Sequence, residues 1–308
     1  MTEPILHHFD HSPFSEKVRL VLGFKRLTWK SVKVPIMLPK PDVVALTGGY
    51  RRTPILQVGS DVYCDTALIC RAIDRLAPEP PLYPAAAAAQ HLIAQWADSS
   101  LFWAAVPYTL QPAGLKHAFG EITADEFKAL AADRAAMTAG MRRATVADAA
   151  AQLTSYLGSL ESMLAGGQMF LLGEQPCIAD FSVAHSLWFI RLAPPIATLL
   201  APFGKLAAWY DRIAAFGHGT SEPLSSGDAV AIAAAAARSH AEARIEPGHG
   251  FEAGAQVTVS ATDYATDLIP GTLVGLSHDE VVIERRDERA GTVHVHFPRI
   301  GYQIKKAS

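Results

Sequence analysis

Arg52-Thr53-Pro54-Ile55-Leu56 decides how this chain folds, together with Asp65-Thr66, which stands eleven residues beyond the proline. A proline that opens an apolar run, followed by a short turn and an acid–hydroxyl pair at the head of a helical pattern, marks a place where main chain and carboxylate converge on a peptide ligand. An X-Pro bond reaches the cis form for only about 0.5–1 kcal/mol, and in that form Thr53 would turn its main chain outward. Asp65 and Thr66, at a helix N-terminus with free N–H groups, would hold the ammonium and carboxylate of an amino acid.

Working outward, residues 4–9 predict a strand, 12–15 a turn, and 16–23 a helix with Val18, Val21 and Leu22 on one face. Residues 29–34 predict a second strand and 40–46 a short helix. Strands over 54–58 and 61–63 and a helix over 65–76 complete the order βαβαββα, which is thioredoxin-like.

With these residues in place, the chain resembles the glutathione transferase family. Ser12-Pro13-Phe14-Ser15 is similar to the Cys/Ser-Pro-Phe-Ser active-site turn of the omega-like and related bacterial classes, Thr53-Pro54 to the Val/Thr-Pro turn, and Asp65-Thr66 to the Glu/Asp-Ser pair. Gly173-Glu174-Gln175-Pro176-Cys177-Ile178-Ala179-Asp180-Phe181 is similar to the Gly-x-x-x-Ser/Thr-Ile-Ala-Asp stretch of that family. There the hydroxyl and the Asp cap a buried helix of an all-helical second domain reciprocally. The cap position here is Cys177, whose thiol is a weaker acceptor than a hydroxyl. The resemblance spans residues 4–220, about seven-tenths of the chain.

The resemblance implies a thioredoxin-like α/β domain over residues 1–80, an all-helical domain over 85–243, glutathione as cosubstrate, conjugation to a small electrophile, and a cytoplasmic homodimer. It assigns thiolate stabilisation to Ser12, with Ser15 as the alternative hydroxyl. It assigns glutathione binding to Phe14, Lys40, Thr53, Pro54, Asp65 and Thr66. A thiol of free pKa near 8.5 becomes a competent nucleophile when a hydroxyl donor and a helix N-terminus stabilise its thiolate. A serine cannot form the mixed disulfide that a cysteine in that turn would form. Two other readings share the fold: a non-catalytic glutathione- or protein-binding member that uses the C-terminal β extension as its interaction module, and a glutathione-dependent isomerase or dehalogenase.

Composition agrees. The 308 residues are 50% hydrophobic, enough for two or three domain cores, and the net charge of −3 points away from nucleic acid. Residues 1–80 carry 11 Lys/Arg against 8 Asp/Glu, a balance that favours a ligand of net negative charge. Cys64, Cys70 and Cys177 have no metal-ligand spacing and read as reduced thiols. No basic-then-apolar leader opens the chain, and the Ala runs at 85–89 and 231–237 are too short to span a bilayer, so no membrane partner is expected.

Pro78, Pro80, Pro81 and Pro84 form a linker, and helical patterning follows to about Phe216, with a further helix from 228 to about 242. The last segment, 246–308, departs from the family: 257–260, 271–276, 280–285 and 292–297 alternate with period two between turns, which predicts a small all-β, barrel-like domain of four or five strands. Residues 245–308 hold 6 Lys/Arg against 9 Asp/Glu, the wrong sign for binding nucleic acid. This extension is expected to form a compact sheet of its own, docked on the helical domain or a partner subunit and bearing on stability more than on chemistry. His294 and His296 share a strand face, a spacing that permits metal binding, but with no third ligand in view a paired role is favoured and no metal is expected.

Overall fold

A computed structural model describes residues 3–120, 122–236 and 244–307. β1 (Ile5–His8), α1 (Pro13–Phe24), β2 (Thr28–Lys33), α2 (Pro41–Thr47), β3 (Ile55–Val58), β4 (Asp61–Cys64) and α3 (Thr66–Leu76) follow one another in the thioredoxin-like order. β1 runs parallel to β2 and antiparallel to β3, which is antiparallel to β4. α1 starts three residues before the apolar periodicity does, because Ser12 caps it and Pro13 fills the first turn, where a missing N–H costs nothing.

The helical domain consists of α4 (Gln90–Trp96), α5 (Phe102–Thr109), α6 (Pro112–Phe119), α7 (Ala124–Met137), α8 (Val146–Met163), α9 (Ile178–Arg191), α10 (Pro194–Ala197) and α11 (Gly204–Ala214). α9 is its central helix and is buried without interruption from Ile178 to Leu187. Its first turn is tied down by Asp180, whose carboxylate accepts the Cys177 N–H at 2.9 Å, the Leu171 N–H at 2.9 Å and the Trp209 indole N–H at 2.8 Å. The Asp180 half of the cap is therefore complete. Leu6, Val18, Leu22, Ile69, Leu157, Phe181 and Trp209 belong to one core, which fuses α1, α3 and one face of the sheet to the helical domain.

The chain then returns to the N-terminal domain. β5 (Thr220–Pro223) lies parallel to β2, and α12 (Ser226–Ala235) packs on α2. The continuation of that helix expected to about residue 242 falls on 237–243, outside the described residues. β6 (Gln256–Ala261), β7 (Ile269–Leu276), β8 (Glu280–Asp287) and β9 (Gly291–Pro298) form an antiparallel meander, and β10 (Tyr302–Lys306) folds back onto β6.

The β extension does not keep a separate sheet. β9 pairs in parallel with β4, with Asp61 opposite His294 and Tyr63 opposite His296, so one ten-stranded sheet runs β10-β6-β7-β8-β9-β4-β3-β1-β2-β5. This corrects the expectation of a compact sheet of its own, docked on the helical domain or a partner subunit. The physical reason is twofold. β4 would otherwise present an unpaired edge, and the apolar face of the extension (Val257, Val259, Val281, Ile283, Val293, Val295) completes the core that Ile5, Val32, Ile55 and Val62 begin on the sheet's second face. Alternation in a sequence specifies which face is apolar but not which strand lies next to it.

Polar groups pin the β4–β9 junction. His296 places Nε2 3.1 Å from the Asp61 carboxylate and Nδ1 2.6 Å from that of Glu280, and it stacks on Tyr63. His294 lies beside it on the same seam, near Asp61 and Glu284. Burial opposes a charged imidazole, but the two carboxylates outweigh it and raise the His296 pKa above 6.5. The sign follows from linkage: a raised folded pKa contributes stability that is present in full below the unfolded value and is lost as pH rises through the folded value. Amide exchange of β4 and β9 should therefore quicken relative to the rest of the sheet as pH is raised from about 6. In His296→Gln that differential should be flat with pH.

Candidate functional site

The head of α1 and the turn before β3 meet in a cleft between the α/β and helical domains. Ser12 is 2% exposed, and its Oγ accepts the Ser15 N–H at 3.1 Å. A hydroxyl carries one proton besides its acceptor sites, and that of Ser12 is donated to no acceptor among the described residues. The Thr53–Pro54 bond is cis, and Thr53 stands ahead of the β3 ladder, with its side chain in the cleft. Asp65 has φ +72° and caps α3, accepting the Ala67 N–H at 2.9 Å. Burial pushes its pKa up, against the pull of Ala67 and of the Arg52 guanidinium.

Two cavities open along this cleft. The first, about 150 Å³, is lined by Phe14, Thr53, Pro54, Asp65 and Thr66; the second, about 180 Å³, by Ser12, Phe14, Lys40 and Thr53. Seven of the residues expected to form the site thus line one cleft. Ser15 lines neither cavity: its hydroxyl is buried and has no hydrogen-bond partner among the described residues. Lys40, with its ammonium 3.0 Å from Thr53 Oγ1 and 3.3 Å from the Arg51 carbonyl, has its pKa lowered to about 8 by burial and by the neighbouring Arg134 and Arg51.

A buried ionic network supports the first cavity. Lys17, with no exposed surface, donates to Asp98 at 2.6 Å and to the Thr66 hydroxyl at 3.2 Å, and Asp98 also meets His185 Nε2 at 3.0 Å. A π-helical turn, Ala97–Leu101, joins α4 to α5 and carries Asp98 into this position. Burial disfavours the Lys17 ammonium, but Asp98 more than compensates and holds its pKa above the ordinary lysine range. The network was not legible in the sequence. Its only signal is a lysine one residue from Val18 on a helix that is otherwise buried.

The extension walls the same cleft. Arg52 donates to the Asp263 carboxylate and the Tyr264 carbonyl, and its guanidinium lies 3.7 Å from the centre of the Tyr264 ring. Tyr302 donates to Asp65 Oδ2 at 3.3 Å and lies 3.0 Å from the Tyr50 hydroxyl. Asp263, Tyr264, Pro298, Gly301 and Tyr302 all line the first cavity, and Tyr264 lines the second as well. The segment expected to bear on stability more than on chemistry therefore lines part of the candidate site.

Comparison with known proteins agrees with the geometry. The sequence pattern described as the glutathione S-transferase N-terminal domain matches residues 6–81, and the C-terminal domain pattern matches 143–212. A GST-like protein from Pseudomonas syringae is 40% identical, with all of both chains covered and a TM-score of 0.83. This chain belongs to the glutathione transferase family. FtsZ-localized protein A of Caulobacter vibrioides is 28% identical over 191 residues, covering 60% of this chain and 76% of that protein. A glutathione S-transferase from Rhodospirillum rubrum F11 shares the fold at 20% identity, with 68% and 87% coverage and a TM-score of 0.53. Among the described residues no single helix is long and apolar enough to cross a membrane, and no group of three or more His, Cys, Asp or Glu could hold a metal ion.

Proposed function

We propose that the protein binds glutathione along this cleft and conjugates its sulfur to a small electrophile. The observation that carries this reading is the convergence of Ser12, Thr53-Pro54 and Asp65-Thr66 on one cleft, with the Ser12 hydroxyl lining its second cavity. The γ-glutamyl ammonium is assigned to Asp65 and its carboxylate to Thr66 and the α3 N-terminus. The cysteinyl main chain is assigned to Thr53 and the glycine carboxylate to Lys40. Phe14, lining both cavities, would separate tripeptide from acceptor. Ser12 donates a hydrogen bond to the thiolate and keeps its proton, and the positive end of α1 adds to that stabilisation. The homodimer and cytoplasmic placement implied by the family belong to the same proposal, and light scattering on the eluted protein tests the first.

A second reading is a binding member without turnover. It is favoured by the side chains that already engage the γ-glutamyl end, Tyr302 on Asp65 and Lys17 on Thr66, and by the similarity to a protein named for localisation with FtsZ. Turnover separates the two. With glutathione and 1-chloro-2,4-dinitrobenzene, the conjugation reading expects enzyme-dependent product at saturable rate, whereas binding of glutathione without product on any activated halide would favour the second.

A further inference from the structure

The larger cavity carries a charge pattern that deepens the conjugation reading and rests on it. Its apolar lining includes Phe14, Phe102, Trp103, Phe119 and Phe189. Set into that lining are Lys40, Arg51, Arg52, Arg134 and Arg143, and no Asp or Glu lines it among the described residues. Two carboxylates outside the lining answer part of the charge: Asp133 is shared by Arg51 and Arg134, and Asp263 takes Arg52. Lys40 is 4% exposed and meets only a neutral carbonyl and a hydroxyl. Arg143 is exposed and makes no ion pair among the described residues. Arg51 and Arg134 share Asp133 and Arg52 takes Asp263, so among the described residues Lys40 and Arg143 are left without a carboxylate, and Asp133 covers only one of the two guanidinium charges beside it. Lys40 is the buried one, for which the lack of a counter-ion is costly, and the glycine carboxylate of glutathione would answer it. A neutral acceptor would leave Arg143 and the second charge beside Asp133 unanswered.

We propose that the acceptor is an aromatic carboxylate, or an apolar anion of similar shape. Its ring packs on Phe102, Trp103 and Phe119, and its carboxylate is met by Arg134 and Arg143, whose planar guanidinium groups match that geometry. In the reaction the glutathione thiolate attacks the ring carbon that bears the leaving group. The C–S bond forms, the carbon–halogen bond breaks, the halide departs with its electron pair, and the thiol proton has gone to solvent. The carboxylate takes no part in bond making; it sets KM.

The test compares 4-chloro-3-nitrobenzoate with 4-chloro-3-nitrobenzamide on the full-length protein, by steady-state conjugation with glutathione and by calorimetric titration of each compound alone. The expected result is a KM at least tenfold lower for the benzoate, an advantage that shrinks with added salt and by at least fivefold in Arg143→Gln, whose exposed position keeps the fold out of question. Equal KM values, or preference for the amide, overturn the proposal even if turnover is fast. Where neither compound turns over, tighter calorimetric binding of the benzoate upholds the anion site while the conjugation reading fails. Equal binding, or no binding of either at millimolar concentration, overturns the anion site.

Discussion

Truncation after Ala243 should leave a chain that does not fold. The extension is nearly half of the second core: Val257, Val259, Ile269, Leu273, Val281, Ile283, Val293, Val295 and Phe297 pack on the face that Ile5, Val32, Ile55 and Val62 present from the N-terminal domain. Removing them returns that face to water, and each buried aliphatic or aromatic side chain is worth about 1.5–3 kcal/mol. Three or four newly exposed N-terminal side chains therefore consume most of the roughly 5–15 kcal/mol by which a domain is stable. The same cut strips β4 of β9 and leaves an unpaired edge, and it takes Asp263 from Arg52 and His296 from Asp61. Loss of a cooperative thermal transition, or recovery only in the insoluble fraction, is the expected outcome. A soluble truncated chain with intact glutathione binding would mean that the continuous sheet is not what holds the N-terminal domain.

Ser12→Ala should lower conjugation of an activated aryl halide about 10- to 1000-fold while glutathione affinity stays within tenfold. The hydroxyl is asked to stabilise the thiolate and contributes little to holding the peptide. The substitution also removes the α1 cap, which costs about 0.5–2 kcal/mol of stability, so a thermal melt must accompany the kinetics to show that the protein remains folded. Ser15→Ala is the control. Its hydroxyl lines neither cavity, and its removal should leave the rate within twofold. A rate lost in Ser15→Ala and kept in Ser12→Ala would move the assignment along the turn.

Much of this was legible in the chain before the structure. Period two and period 3.6 are local properties, so β1 to α3 and the helical domain follow from residues such as Val18, Val21 and Leu22 at their spacing, and cis Thr53–Pro54 from proline chemistry. The family motifs placed Ser12, Thr53 and Asp65 in one cleft. Pairing partners are not local. Nothing in Val293-His294-Val295-His296 says that β9 lies against β4 rather than closing a barrel. The contributions of Tyr264 and Tyr302 were missed for that reason, since each lies about 200 residues or more from the Arg52 and Asp65 it serves. Lys17 was given no role because its partner Asp98 is set by a π turn that periodicity does not encode.

Calorimetric titration of glutathione into the parent protein and into Asp65→Ala tests the central claim most directly. The cleft should bind glutathione at millimolar concentration or below, and Asp65→Ala should weaken that binding by about 1.5–3 kcal/mol, the worth of a hydrogen bond to a charged group, or about 10- to 150-fold. No binding to the parent at millimolar glutathione, or an unchanged affinity in Asp65→Ala, would contradict the claim.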